Sequence, residues 1–313
     1  MLCSFRSLFF VISAVFCSVT QAAESAITVL TAHPATYSLT SALVQQTNIK
    51  VIAVQPARLP ATRLTAYLEG RGKSTLEKAA AEADAVITMG AMWQQDPLYP
   101  YARRTRLGII NIDMTRPLDD TLPGVSQLNP TLDRSWYEAF SLQPMLQDGE
   151  NMSPWLSPTA LARMADILAN DLTRLSVNQG KQIDANLATI KHRLLEIKLR
   201  SDQTLALADS VTTLSLSPHF AYFSADVGLD NLATVFASPR EWTTERLSTL
   251  TRSLQQEDIA VVLLDSEPSA SLQAAILAAS ARYLVLSDIP GDSTDPVATI
   301  EENVRRLLSA FAP

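Results

Sequence analysis

Three histidines and a few well-placed carboxylates are the side chains of this sequence best suited to hold a cation or move a proton. His33 follows the apolar run Ile27–Thr31 and precedes Pro34, where a strand's carboxyl end would open on a cleft. There it is either a metal ligand or a loop histidine capping local carbonyls. His219, in Ser217-Pro-His219, brings a second imidazole, and Asp288 follows the run Tyr283–Leu286 with the charge that a cation requires. Asp265 and Glu267 close the run Ile259–Leu264 and would support a ligand or cap a helix. His192 falls off an apolar stripe and has Glu196 one turn later, the pattern of a solvated pair on a helix face. Imidazole plus carboxylate suits a borderline divalent ion. General-base catalysis is the poorer fit: no Gly-x-Ser-x-Gly or His-Glu-x-x-His motif is present, so no enzyme is expected.

The elements that must position these groups alternate. Ile27–Thr31, Lys50–Val54, Ala85–Met89 and Gly108–Asp113 are short apolar runs with helical patterns between them, such as Ser38–Gln46 and Ser74–Ala83. Thr204–Ala208, Thr212–Leu216, Leu232–Phe236, Ile259–Leu264 and Tyr283–Leu286 repeat the strand pattern later. They are interleaved with helices over Thr243–Gln255, Ser269–Ala281 and Pro296–Phe311, the last capped by Asp295. Such alternation predicts parallel sheets covered by helices. The middle departs from it. Apolar stripes at Leu161–Leu175 and Ile183–Ile197 predict two long helices in succession, a connector between lobes. Ser157-Pro158 supplies the N-cap and first turn of the earlier one.

Residues 1–23 are expected to be a signal peptide. Arg6 is their only charge, an apolar stretch follows from Leu8 to Val19, and Ala22 and Ala23 suit cleavage. Cys3 and Cys17 leave with it, so the mature chain has no disulfide and no thiolate ligand. The full chain carries 25 basic against 32 acidic residues, net −7, and losing Arg6 makes it −8. An acidic exported protein is a poor partner for nucleic acid. The remaining ~290 residues exceed one comfortable core, so two lobes are expected.

Several segments in order resemble the periplasmic zinc/manganese-binding proteins that feed ABC importers, the ZnuA/TroA-like family. Asn151-Met-Ser-Pro-Trp-Leu-Ser-Pro158 is similar to that family's Asp-Pro-His-x-Trp-Leu-Asp-Pro. Ala83-Asp84-Ala-Val-Ile-Thr-Met-Gly90 with Trp93 resembles its Ala-Asp-(apolar)-Asn-Gly motif and nearby tryptophan. Phe220–Leu229 resembles its Tyr-Phe segment, and Val262–Pro268 and Ile300–Leu307 with Asn303 also fit. The resemblance implies an α/β fold: two lobes, each with a mostly parallel sheet flanked by helices, bridged by a long rigid helix. The expected divisions are 24–156, a helical connector over 157–202, and 203–313.

The resemblance also implies a divalent metal, zinc or manganese, as cargo between the lobes, and a monomer serving an ABC permease in the inner membrane. The ligand pattern departs from the family's. Ser153 stands where a histidine is expected, and so does Ser217; no histidine occurs in 61–69, where Glu69 is the nearest donor. Asp288 alone has a direct counterpart. The expected set is therefore Asp288, His219 and His33 on the metal, with Ser153, Ser217 and Glu69 lining the pocket. Trp93, Trp155 and Tyr222 are expected in the core. Because Ser cannot replace an imidazole as a zinc ligand, a metal chelate or small organic ligand is the alternative cargo. The stretch Leu59-Pro60…Tyr67-Leu-Glu-Gly70…Glu77 loosely resembles chelate-binding relatives of the same fold.

Overall fold

The strands are four or five residues long, and their burial follows their place in a sheet. β1 (Thr28–Thr31) and β3 (Ala85–Thr88) are buried almost throughout, whereas β2 (Lys50–Ala53) and β4 (Ile110–Asp113) keep exposed or half-exposed positions. The parallel order β2-β1-β3-β4 explains this, since β1 and β3 are central and the others are edges. Between them lie α1 (Pro34–Leu43), α2 (Leu64–Glu69), α3 (Lys73–Glu82) and α4 (Leu98–Thr105). The computed structural model describes residues 26–119, 121–128, 134–143 and 152–311. The expected signal peptide, the mature start near Glu24 and Asn151 lie outside them.

The second sheet repeats the plan. After α5 (Arg134–Ala139), α6 (Pro158–Leu175) and α7 (Gly180–Leu205) come β5 (Thr212–Ser215), α8 (Ala221–Val227), β6 (Asp230–Thr234) and α9 (Thr244–Gln256). β7 (Val261–Leu264), α10 (Ala270–Ala278), β8 (Arg282–Val285) and α11 (Pro296–Phe311) complete it. Its strands are parallel in the order β6-β5-β7-β8. The chain is thus an α/β protein of two lobes joined by long helices.

One expected strand is absent. Thr204–Ala208 is not extended, because α7 runs 26 residues through Leu205. Its buried face continues from Ile183 through Ile190, Leu194, Ile197 and Ser201 to Leu205, so the helical period overrides the short apolar run. At about 1.5 Å per residue α7 spans roughly 39 Å. Among the described residues no helix is long and apolar enough to cross a membrane.

The lobes share a core. One cluster contains Val29 and Ile87 of the first sheet, Val261 and Leu263 of the second, and the inner faces of α1, α6, α7 and α11. The outer faces are covered separately, by α2, α3 and α4 around Leu64, Leu76 and Leu98, and by α5, α9 and α10 around Tyr137, Leu250 and Ile276. Polar ties reinforce the shared layer. Arg193 of α7 donates to both oxygens of Asp295 (2.9 and 3.0 Å) and to Glu301. Asn186 donates to the carbonyls of Leu43 and Gln45 at 2.8 Å each. Closing the lobes as in a hinge would shear this core, so scattering curves recorded with and without cargo are expected to superimpose closely. A large compaction on binding would contradict the shared-core account.

The start of α6 is clamped across the chain. Ser157 caps it, accepting from the Ala160 N–H at 3.0 Å, with Pro158 in the first turn as the sequence predicts. Asp226 of α8 then accepts from the Ser157 hydroxyl (2.6 Å), the Thr159 N–H (2.6 Å) and the Thr159 hydroxyl (2.7 Å). A carboxylate at a helix N-terminus with three donors is a charge-assisted anchor. Asp226→Ala is expected to lower unfolding stability by about 2 kcal/mol, measured as a drop in the urea midpoint at unchanged slope.

Candidate functional site

In each sheet the strand order reverses beside a central strand, and ligands of open parallel sheets bind in the crevice beyond that point. In the first sheet β1 and β3 flank it, and the residues just past them are His33 and Met89. In the second, β5 leads to Ser217 and His219, and β8, at the sheet edge, leads to Asp288. The segment 152–157, ahead of α6, passes between these ends. Trp155 bridges them: its ring centroid is 4.6 Å from that of His33, and its indole N–H donates to Asp288 Oδ1 at 2.7 Å. Trp155 and Tyr222 are 8% and 7% exposed, as expected of core residues. Trp155 and Trp93 also form cavity walls.

His33 is the N-cap of α1. The Ala35 N–H donates to its Nδ1 at 3.1 Å. A backbone N–H can only donate, so Nδ1 offers its lone pair and the proton of the neutral ring sits on Nε2. In this state the ring turns an N–H outward, not a metal-binding lone pair. A ligand role for His33 runs against this geometry and would require breaking the cap. The ring is 8% exposed, tilted against Trp155 and edge-on to Trp93 at 5.8 Å. Burial pushes its pKa down to about 4, with the nearby Asp288 charge pulling the other way. The cap explains the position: Pro34 fixes the first turn of α1 and leaves the preceding residue to satisfy the amides that follow.

His219 keeps its ligand capacity. Its Nδ1 lies 3.3 Å from the Ser153 hydroxyl, so Ser153 (1% exposed) orients the ring, and among the described residues Nε2 has no hydrogen-bond partner. Asp288 is exposed; Oδ1 accepts from Trp155 and from the Ile289 N–H (2.6 Å), and among the described residues the second oxygen has no hydrogen-bond donor. Ser217 does not line the cavity. It is fully buried and caps the short turn Pro218–Phe220, accepting from the His219 N–H at 3.4 Å. Glu69 also leaves the set. The stretch 61–69 is helical: Ala61, Thr62 and Thr65 reach the cavity beside His33, while Glu69, one turn later, accepts from the Tyr101 hydroxyl in a separate surface pocket with Lys73 and Arg104. His192 pairs with Glu196 at 3.6 Å and is 71% exposed, the solvated pair expected. Asp265 and Glu267 are exposed, and Ser269, not either carboxylate, caps α10. Among the described residues no three His, Cys, Asp or Glu side chains converge as a metal site requires.

Sequence reasoning missed the cavity itself. About 270 Å³ in volume, it lies on the N-terminal side of Trp155. Its walls include His33, Trp93, Trp155 and the thioethers of Met89, Met92 and Met152. Two carboxylates fix the loop after β3: Asp113 accepts from the Ala91 N–H at 2.8 Å, and Asp96 accepts from those of Met89 (3.2 Å) and Leu98 (3.0 Å). Burial, with Asp113 adding to it, outweighs those two donors and lifts Asp96 to about 6. The clustering of Met89 and Met92 just past a buried strand is the one signal that could have pointed here.

Comparison with solved structures agrees with this architecture. A FpvC mutant from Pseudomonas aeruginosa superimposes with TM-score 0.65 at 17% identity, covering 91% of this chain and 98% of that one. The Zn(II)-bound ZnuA-like domain of Streptococcus pneumoniae AdcA gives 0.63 at 15%, covering 92% and 99%. A manganese-bound mutant of the periplasmic metal-binding protein of Candidatus Liberibacter asiaticus gives 0.63 at 13%, covering 91% and 99%. At these identities the likeness establishes the fold. No curated protein matches the sequence. The model of one protein family does, over residues 73–312, and the chain accordingly belongs to the ZnuA family, described as the periplasmic component A of the zinc-uptake complex.

Proposed function

We propose that this protein is the periplasmic substrate-binding component of a metal-type ABC importer, holding its cargo between the lobes beside Trp155. The observation that carries the reading is the double attachment of Trp155, packed at a tilt against His33 past β1 and bonded to Asp288 past β8. One indole thus joins the ligand-bearing ends of both sheets. A divalent cation, zinc or manganese, would take its strongest contacts from the open Asp288 oxygen and from His219 Nε2, with Ser153 steadying the imidazole. The partner is an ABC permease in the inner membrane; the role is transport, not catalysis, and the protein acts as a monomer delivered by a cleaved signal peptide. Its negative net charge, −7 for the full chain, makes nucleic acid a poor partner.

A second reading is favoured by a specific observation. With no convergent trio of His, Cys, Asp and Glu among the described residues, a bare ion would lack a full ligand shell. A metal chelate or small organic ligand brings its own donors and needs the aromatic and hydroxyl groups present here. Native mass spectrometry of the protein isolated from the periplasm separates the two. Bound zinc or manganese is expected under the first reading and an added organic mass under the second. A protein that carries neither, and shows no thermal shift with either metal, would sink the importer reading. The same spectrum is expected to show a chain starting near Glu24.

A further inference from the structure

We infer that the cavity on the N-terminal side of Trp155 binds a soft monovalent metal ion, Cu(I) or its analogue Ag(I), through the thioethers of Met89, Met92 and Met152. The inference rests on the reading that this cleft receives a metal cargo, and it names a class of metal that the zinc and manganese expectation leaves out. Three of the chain's seven methionines line this one cavity of about 270 Å³. They come from two separate segments, the loop after β3 and the residue ahead of Ser153, so methionines line the cavity from two parts of the chain. Core filling accounts for Met89, which is 1% exposed, but Met92 and Met152 are only half-buried.

The chemistry of the walls selects the ion. A thioether is a neutral, polarizable donor that suits Cu(I) and is a poor ligand for zinc or manganese. Among the described residues no carboxylate lines the cavity, and the imidazole there, His33, has its Nδ1 engaged by the Ala35 N–H and its proton on Nε2. Among these lining residues a hard divalent ion finds no anionic donor and no free imidazole lone pair, while a soft ion finds three methionines. The faces of Trp93 and Trp155 add attraction for a cation of low charge. The Met92 sulfur remains available: the Tyr222 hydroxyl lies 3.8 Å from it, but its single proton has the closer Ser126 carbonyl at 3.1 Å. Asp96 and Asp113 hold the loop in place before any ion arrives.

The test compares the wild type with the double variant Met92→Leu/Met152→Leu, a volume-conserving change that leaves the fold intact. Both are titrated with Ag(I) in chloride-free buffer, followed by native mass spectrometry and tryptophan fluorescence, and separately with Zn(II). The wild type is expected to take up one more Ag(I) than the variant, with quenching of tryptophan emission and an affinity at least tenfold higher; Zn(II) binding should be the same in both. Equal Ag(I) stoichiometry and affinity in the two proteins would overturn the inference. If Zn(II) binds in an Asp288-dependent way while Ag(I) finds no methionine-dependent site, the inference fails and the importer reading stands. If neither ion binds, the inference fails and the bare-metal reading fails with it.

Discussion

Asp288→Ala is expected to weaken binding of zinc or manganese by well over tenfold, about 1.4 kcal/mol or more. Asp288 offers an open carboxylate oxygen at the mouth of the cleft, and removing it also deprives the Trp155 indole of its acceptor at 2.7 Å. Two effects are therefore mixed in the alanine variant. Asp288→Asn separates them, because an amide oxygen still accepts from Trp155 but carries no charge. If the charge holds the cation, the asparagine variant should lose nearly as much affinity as alanine. His219→Ala should also cost more than tenfold through loss of the Nε2 donor, whereas His192→Ala should change nothing, since that ring is 71% exposed on the outer face of α7. Titration calorimetry with each metal decides the matter. Wild-type affinity in Asp288→Asn would remove Asp288 from the ligand set.

Acid should destabilise the protein through His33. The unfolded ring takes up a proton as pH falls through 6.5, but the folded one resists until about 4, because protonation would place a charge in a desolvated cap between two tryptophans. Across that window the unfolded state binds more protons, so stability is lost as pH falls from about 6.5 to 4. At 1.36 kcal/mol per pH unit the loss is on the order of 3 kcal/mol. Asp96 acts in the opposite sense. Its folded pKa of about 6 lies above the usual 3.8, so the native state takes its proton first and gains stability as pH drops. The contribution of His33 is therefore read as a difference between two proteins that both keep Asp96. His33→Asn retains an N-cap acceptor and removes the titration. Urea unfolding from pH 7 to 4 should show the variant gaining about 3 kcal/mol on the wild type. Parallel pH profiles for the two proteins would refute the account.

Most of the fold was legible because its signals are local. Buried central strands must be apolar, so Ala85–Thr88 and Val261–Leu264 announce themselves. A long amphipathic helix must repeat its stripe, so α6 and α7 do the same, and α6 and α11 carry their caps in the adjacent pairs Ser157-Pro158 and Asp295-Pro296. Thr204–Ala208 shows the limit of local signals. Five residues of that composition fit either period, and only packing of Leu205 against the shared core selects the helix.

The site was less legible, for a physical reason. Sequence fixes which side chains exist: it put His33 and His219 near strand ends and Asp288 after a strand, and the family resemblance marked Ser153 and Ser217 as expected histidine positions and Asp288 as the expected acidic ligand. It could not fix which ring nitrogen is free, because that depends on a hydrogen bond formed only once Pro34 starts α1 and turns the Ala35 N–H toward His33. It could not bring Met152 to Met89 and Met92, some sixty residues away, or join Trp155 to Asp288 across 133. Those juxtapositions arise when two sheets built from distant segments close on one helical layer. Local periodicity determined the elements, and the long-range geometry of that closure decided which donors face the cargo.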